Sequence, residues 1–337
     1  MTHLYHGGQE GRAHFFSIAK NIHDRPADAD TVRHWLEEDL DVDDLSRGRP
    51  RSPGSGGGAS SPVRVSRVEG AAARVFCEVL KSKSLPPRPT LARLHAGHRH
   101  LDATGASLGD DFGEALILAL PQLPGLEKLS LGENSLTDRT IEPLLRGLIA
   151  IGQLTSLDLS RNDIDAGGAA ALREFVSNGD CPLEELVLRH ADIDDDDCRA
   201  LCESLASNRE SRLRTLDVGD NLVGLNEGRN LCVPDYVTGG EALASALGVN
   251  VSLTKLDLSW NALRDESARA LGRAFADNAS LFDVNLEYNG FGDAGCEAVA
   301  MALEQNSGMR ILRLGGARGR RRSDVGSSSD RFTLGPG

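Results

Sequence analysis

Three histidines fall close together in "HAGHRH": His95, His98 and His100. With an outside carboxylate such as Asp102 or Asp110 they would make the donor set of a zinc site. Arg99 stands among them, however, and an exposed basic turn is the simpler account. The acidic run "DIDDDD" at 192–197 offers oxygen atoms for calcium. It lacks the glycine of an EF-hand loop and stands where a helix begins, so its carboxylates read as caps for backbone N–H groups. Six cysteines, Cys77, Cys181, Cys198, Cys202, Cys232 and Cys296, are scattered with no CxxC pair. They read as reduced, small apolar residues rather than a disulfide framework or a metal site. The sequence contains no GxxxxGK[ST] phosphate loop, no GxSxG elbow and no HExxH helix. The chain is therefore expected to be non-enzymatic, with no catalytic residue, metal or cofactor.

The order in the sequence lies in its repeats. "LEKLSLGENSL", "LTSLDLSRNDI", "LEELVLRHADI", "LRTLDVGDNLV", "LTKLDLSWNAL" and "LFDVNLEYNGF" start at residues 126, 154, 183, 213, 253 and 281 and all follow the frame LxxLxLxxNxL. A weaker copy, "HRHLDATGASL", starts at 98, and a last strand, "MRILRL", at 309. Between copies, apolar residues recur four apart, as at Leu116 and Leu120, Leu201 and Leu205, and Leu243 and Leu247. Each repeat thus predicts one strand and one helix with a single buried face. Asp110, Asp138, Asp195, Asp265 and Asp293 stand just ahead of these helices and are expected to cap them. The asparagine column, Asn134, Asn162, Asn221, Asn261 and Asn289, is broken by Ala191 and, in the weak first copy, by Ala106.

These motifs resemble the leucine-rich repeats, specifically the ribonuclease-inhibitor-like class also found in NOD-like receptors and in the Ran GTPase-activating protein. The resemblance covers residues 98–316 and implies a curved α/β solenoid, with a parallel sheet on the concave face and helices on the convex one. It also implies that the asparagines bond to free backbone groups where the chain leaves each strand, so the turns with Ala191 and Ala106 in this place should be less well tied. Such arrays serve in inhibitors, receptor arms and scaffolds. The alternative it raises is activation of a small GTPase, although "RGRRRS" stands where the Ran regulator carries an acidic tail.

Strand alternation turns the residues between the motif leucines out of the core. One such column reads Ser130, Asp158, Val187, Asp217, Asp257, Asn285 and Arg313. Its three carboxylates lie within a few strand steps of about 5 Å each and must be solvated or matched by cations. Only 4% of the chain is aromatic, yet Trp260 and Tyr288 share one motif position in consecutive repeats, where other copies carry Glu133, Arg161, His190 and Asp220. Accessible aromatics bury much area at low entropy cost, which suits them to anchor a partner; packing on each other is the alternative. The long fifth copy inserts "GLNEGRNLCVPDYVTG" at 224–239, whose Tyr236 would extend the aromatic patch. Partner binding is therefore expected at Trp260, Tyr288, Asp158, Asp217, Asp257, Asn285 and Tyr236.

With 50 acidic against 37 basic residues, the expected partner is a protein with a basic segment rather than a nucleic acid. No apolar run approaches a membrane span and no secretory signal is visible, so the cytoplasm is expected, with the nucleus as the alternative. Residues 1–62, including "RGRPRSPGSGGGASSP", read as a largely disordered segment and linker, with Trp35 and Leu36 on a short helix. Residues 63–97 read as a helical cap built on Val75, Phe76, Val79 and Leu80, and 317–337 as a disordered basic tail.

Overall fold

The computed structural model describes residues 71–86, 91, 97–227, 236–316 and 331–333. Trp35, His95, Cys232, the linker before residue 71 and most of the basic tail lie outside them. Strands β1 (His100–Asp102), β2 (Lys128–Ser130), β3 (Ser156–Asp158), β4 (Glu185–Val187), β5 (Thr215–Asp217), β6 (Lys255–Asp257), β7 (Asp283–Asn285) and β8 (Ile311–Arg313) form one parallel sheet in chain order. Helices follow the first seven: α2 (Gly109–Ala119), α3 (Asp138–Ile151), α4 (Ala166–Ser177), α5 (Asp195–Ser207), α6 (Gly239–Leu247), α7 (Asp265–Asp277) and α8 (Asp293–Gln305). The result is an α/β solenoid whose sheet stays open.

Register is carried by the apolar frame. Leu101, Leu129, Leu157, Leu186, Leu216, Leu256, Val284 and Leu312 pair one with the next across the sheet, each at most 5% exposed. A slip of one residue would turn this column to solvent and replace it with charge. The helices close the core with residues at their expected spacing, such as Leu201 and Leu205 or Leu243 and Leu247. At about 1.5–3 kcal/mol per buried apolar side chain, no single repeat is stable, but each neighbour adds to one continuous core.

The two ends are covered differently. Helix α1 (Ala71–Ser82) buries Ala72, Ala73, Phe76, Cys77 and Leu80 and packs against α2. At the other end a short strand within the expected tail, β9 (Arg331–Thr333), pairs antiparallel with β8. The sheet therefore does not end on β8, and a three-residue part of the tail has regular structure.

Four of the five expected capping acids, Asp110, Asp138, Asp195 and Asp265, act across repeats rather than on their own helices. Asp110 accepts the Thr137 N–H at the start of α3, Asp138 accepts those of Asp165 and Gly167 at α4, and Asp265 accepts those of Gly292 and Gly295 at α8. Each Asp sits in the first turn of its own helix, so its carboxylate points at the open N-terminus of the next helix. The fourth helix has Ala166 in place of this Asp, and α5 accordingly caps itself. Asp194 accepts the Asp196 and Asp197 N–H groups, while Asp197 accepts that of Asp194. This is the role of "DIDDDD". Burial, then the neighbouring charges of Asp194 and Asp196, push the Asp197 carboxyl up to about 6. A carboxyl raised in the folded state binds protons there first, so its contribution is favourable below the unfolded value near ~4 and is lost as pH rises through about 6. Asp197→Asn should therefore gain stability relative to the unsubstituted chain between pH 4 and 7, and urea unfolding across that range checks it.

Candidate functional site

The asparagine column fixes the turn from which the site projects. Asn261 donates to the Val218, Leu258 and Ser259 carbonyls and accepts the Val223 N–H, linking two repeats from a site only 4% exposed. Asn134, Asn162, Asn221 and Asn289 make equivalent bonds. At the Ala191 turn, Asn221 Oδ1 still accepts both the Ala191 and Ile193 N–H groups, so this turn keeps its acceptor half. A second asparagine series at the opposite edge was not foreseen. Asn208, Asn250, Asn278 and Asn306 donate to carbonyls of the preceding repeat as each helix turns back towards the sheet. Its sequence signal is Asn three residues before the next motif's first apolar residue at Asn250, Asn278 and Asn306, and five before it at Asn208.

The residue before each column asparagine adopts the left-handed backbone region. Glu133, Arg161, His190, Asp220, Trp260 and Tyr288 all have φ between 53° and 61°, and the terminal copies carry Gly105 and Gly316 at φ 64° and 80°. This backbone lifts the side chain outward at the rim, where the strand passes into the loop towards its helix. Glycine, aspartate and histidine tolerate it; a bulky aromatic is strained by about 1–2 kcal/mol. Along the rim the side chains pair in succession. Glu133 bonds Arg161 at 3.3 Å, His190 bonds Asp220 at 2.8 Å, and Trp260 stacks on Tyr288 with ring centroids 4.0 Å apart and 16° between planes. Gly316 lies against the far side of the tyrosine ring, where a Cβ would clash. The aromatics thus pack on each other and remain 41% and 39% exposed, so mutual packing and accessibility coexist.

The acidic column of the strand face is matched in part by a cation of the chain itself. Arg189 reaches over Gly219, where a Cβ would collide with its guanidinium, and lies 3.6 Å from Asp217 and 3.7 Å from Asp257. Its Nη atoms also donate to Ser259 Oγ, and Ser259 donates to Asp257. Asn285 donates to the other Asp257 oxygen at 2.8 Å. Burial, then the charges of Asp257 and Asp158, hold the Asp217 carboxyl above the usual carboxylate range, against the pull of the Gly219 N–H and Arg189. Two of the three expected acids are therefore matched from within the chain, and Asp158 accepts the Ser160 N–H. The structure brings Asp217, Asp257 and Asn285 into one network with Arg189, whose bridging role its place in the sequence did not disclose.

Tyr236 does not join the aromatic stack. Its ring lies 6.0 Å from the Arg199 guanidinium, and it lines a groove between α6 and α7 with Val237, Glu241, Ala270 and Arg273. The insertion's first turn is nevertheless fixed to the neighbouring repeat. Asp195, fully buried, accepts the Gly224, Asn226 and Gly239 N–H groups. Glu227, 4% exposed, accepts the Arg264, Glu266 and Ser267 N–H groups and the Ser267 hydroxyl, so it caps α7 in place of the missing repeat aspartate. Among the described residues no cluster of three or more His, Cys, Asp or Glu is placed to hold a metal ion, and no helix is long and apolar enough to cross a membrane.

A family model described as Leucine Rich repeat matches residues 154–172, 179–202, 249–272 and 277–300. Similar curated proteins include ribonuclease inhibitor of Sus scrofa, 33% identical over 213 residues that cover 58% of this chain and 44% of that protein. NACHT, LRR and PYD domains-containing protein 2 of Homo sapiens is 32% identical over 165 residues, covering 43% of this chain and 15% of that one. Among solved structures, an internalin (inlF) from Listeria monocytogenes overlays 74% of this chain and 69% of its own, at 18% identity and a TM-score of 0.39. The chain spans less than half the length of the two curated proteins.

Proposed function

The repeats of this chain are leucine-rich repeats similar to those of ribonuclease inhibitor, and on that premise we propose that it is a non-catalytic module binding a protein through its strand face and aromatic rim. The observation that carries this reading is the Trp260–Tyr288 stack. Both rings occupy a left-handed backbone position that glycine fills at either end of the array, and both stay about two-fifths exposed. The fold neither needs an aromatic there nor hides it, whereas an interface anchor needs both its area and its exposure. The relative's name, an inhibitor of a ribonuclease, supports a protein as the partner here. A basic segment of that partner fits the strand face by competing with Arg189 for Asp217 and Asp257 and by meeting Asp158.

The test is a crosslinking pull-down from the source cells with the unsubstituted chain and with Trp260→Asn plus Tyr288→Asn, a pair that tolerates the same backbone. A reproducible partner should be lost from the variant while its circular dichroism is unchanged. In the same assay, Asp158, Asp217 and Asp257 changed together to Asn should weaken the captured complex and flatten its salt dependence. An unchanged partner set in the aromatic variant would sink the proposal.

A further inference from the structure

Consecutive turns of the rim stack in register. The Ala262 N–H donates to the Val223 carbonyl, and the Gly290 N–H to that of Leu263. The position after each column asparagine therefore makes an outer row beside the aromatic one: Ser135, Asp163, Asp192, Leu222, Ala262 and Gly290. Its side chains fall from leucine to a methyl to nothing where the inner row carries Trp260 and Tyr288. Leu222 is 42% exposed, and Leu225, in the first turn of the insertion, is 48% exposed. That turn is pressed onto the next repeat, since a Cβ on Gly224 at φ 86° would come within 2.8 Å of the Leu263 backbone. The buried carboxylates Asp195 and Glu227 fix it there. Four exposed large apolar side chains thus border one step floored by Ala262 and Gly290, with the stem of Arg264 lying against Gly290 on the flank away from the carboxylates. Leu222 and Leu225 stand at one end of it and the aromatic stack beside it.

The charge along this rim is asymmetric. Asp220 precedes Trp260 in the inner row, Asp192 and Asp163 precede Leu222 in the outer row, and Asp194, Asp195, Asp196 and Asp197 open the helix behind them. Exposed apolar surface adjoined on one flank by carboxylates matches a ligand with the reverse pattern.

We propose that this step is a socket for one aliphatic or aromatic side chain of an extended protein segment, whose neighbouring Arg or Lys residues run back over Asp220, Asp192 and Asp163. The inference rests on the protein-binding reading above and adds its occupant, its direction, and two residues, Leu222 and Leu225, that determine specificity. Leu225 comes from the insertion, so the longer repeat shapes the site through a turn locked to the core.

A phage-displayed library of random dodecapeptides, selected on the full chain and followed by fluorescence polarisation of the enriched peptides, tests this. Enriched sequences should place a large apolar residue within a few positions of Arg or Lys. Leu222→Ser plus Leu225→Ser should weaken their binding at least tenfold. Both side chains are solvent-facing, and circular dichroism confirms that the variant folds. Asp163→Asn plus Asp192→Asn should cost severalfold and reduce the salt dependence. Glu133→Gln plus Arg161→Gln, farther along the same rim, should change nothing. Full binding by the leucine variant, or enrichment of acidic or featureless peptides, would overturn the socket. Loss of binding on Trp260→Asn alone, with the leucine variant unaffected, would remove the socket and leave the aromatic rim standing.

Discussion

Glu227→Ala should lower the unfolding free energy by about 3–5 kcal/mol. The side chain is 4% exposed and its two oxygens take three backbone N–H groups and one hydroxyl. A hydrogen bond to a charged group is worth about 1.5–3 kcal/mol, and the freed Ser267 N–H and hydroxyl stay buried. The sum is not additive, because the donors belong to one turn and relax together. Alanine also removes the negative charge that the α7 N-terminus favours, worth a further ~0.3–1 kcal/mol. Glu227→Gln keeps one acceptor and turns an amide N–H2 towards backbone donors, so it should fall between the two. Asp265→Ala, which frees two N–H groups at the more open α8 start, should cost about 1–2 kcal/mol. Repeats touch mainly their neighbours, so the loss should appear first as faster amide exchange in α7 and as a lower urea m-value when unfolding splits between the two halves. A cost below ~1 kcal/mol would mean that Glu227 is incidental to the insertion.

The repeat frame was legible because hydrophobic burial is periodic and every copy obeys the same geometry. Leu256 and Leu258 could be placed in the core from spacing, and Asn261 at the turn from the resemblance to leucine-rich repeats. Three things were not. The αL backbone of Trp260 follows from how the chain leaves the strand, and the only trace in sequence is the glycine at the same position in the first and last copies, Gly105 and Gly316. The reach of Asp138 or Asp265 into the following helix depends on the offset between stacked helices, which no single repeat contains. Tyr236 seemed a partner for Trp260 because repeat counting gives order along the array and not the side of the insertion on which a ring lands. For the same reason the sequence required solvent or cations for the acidic column without choosing between them. Arg189 lies in a neighbouring column, and only the bare backbone of Gly219 lets it cross to Asp217 and Asp257.

Asn261→Ala should cost about 1–3 kcal/mol, and Asn261→Asp more at neutral pH. The amide is the one polar side chain that can face this turn, because it must give hydrogens to the Val218 and Leu258 carbonyls and take one from Val223. Alanine leaves the Val223 N–H without its acceptor in a site 4% exposed, while the Val218 and Leu258 carbonyls keep the amides of Asn221 and Asn289. Aspartate keeps the acceptor but directs a charge at carbonyl oxygens. Its carboxyl would then be raised in the folded state, so the excess cost of Asp over Ala should vanish on acidification and return as pH rises. The array itself carries one such gap at Ala191, where Asn221 supplies the acceptor for two N–H groups and the alanine is fully buried without polar demand of its own. That turn evolved around a methyl; the Asn261 turn is built around an amide, and the two predict opposite responses to exchange. If Asn261→Ala costs less than ~1 kcal/mol, packing of the flanking leucines holds the turn, and the rigid placement of Trp260 must come from its stack on Tyr288 instead.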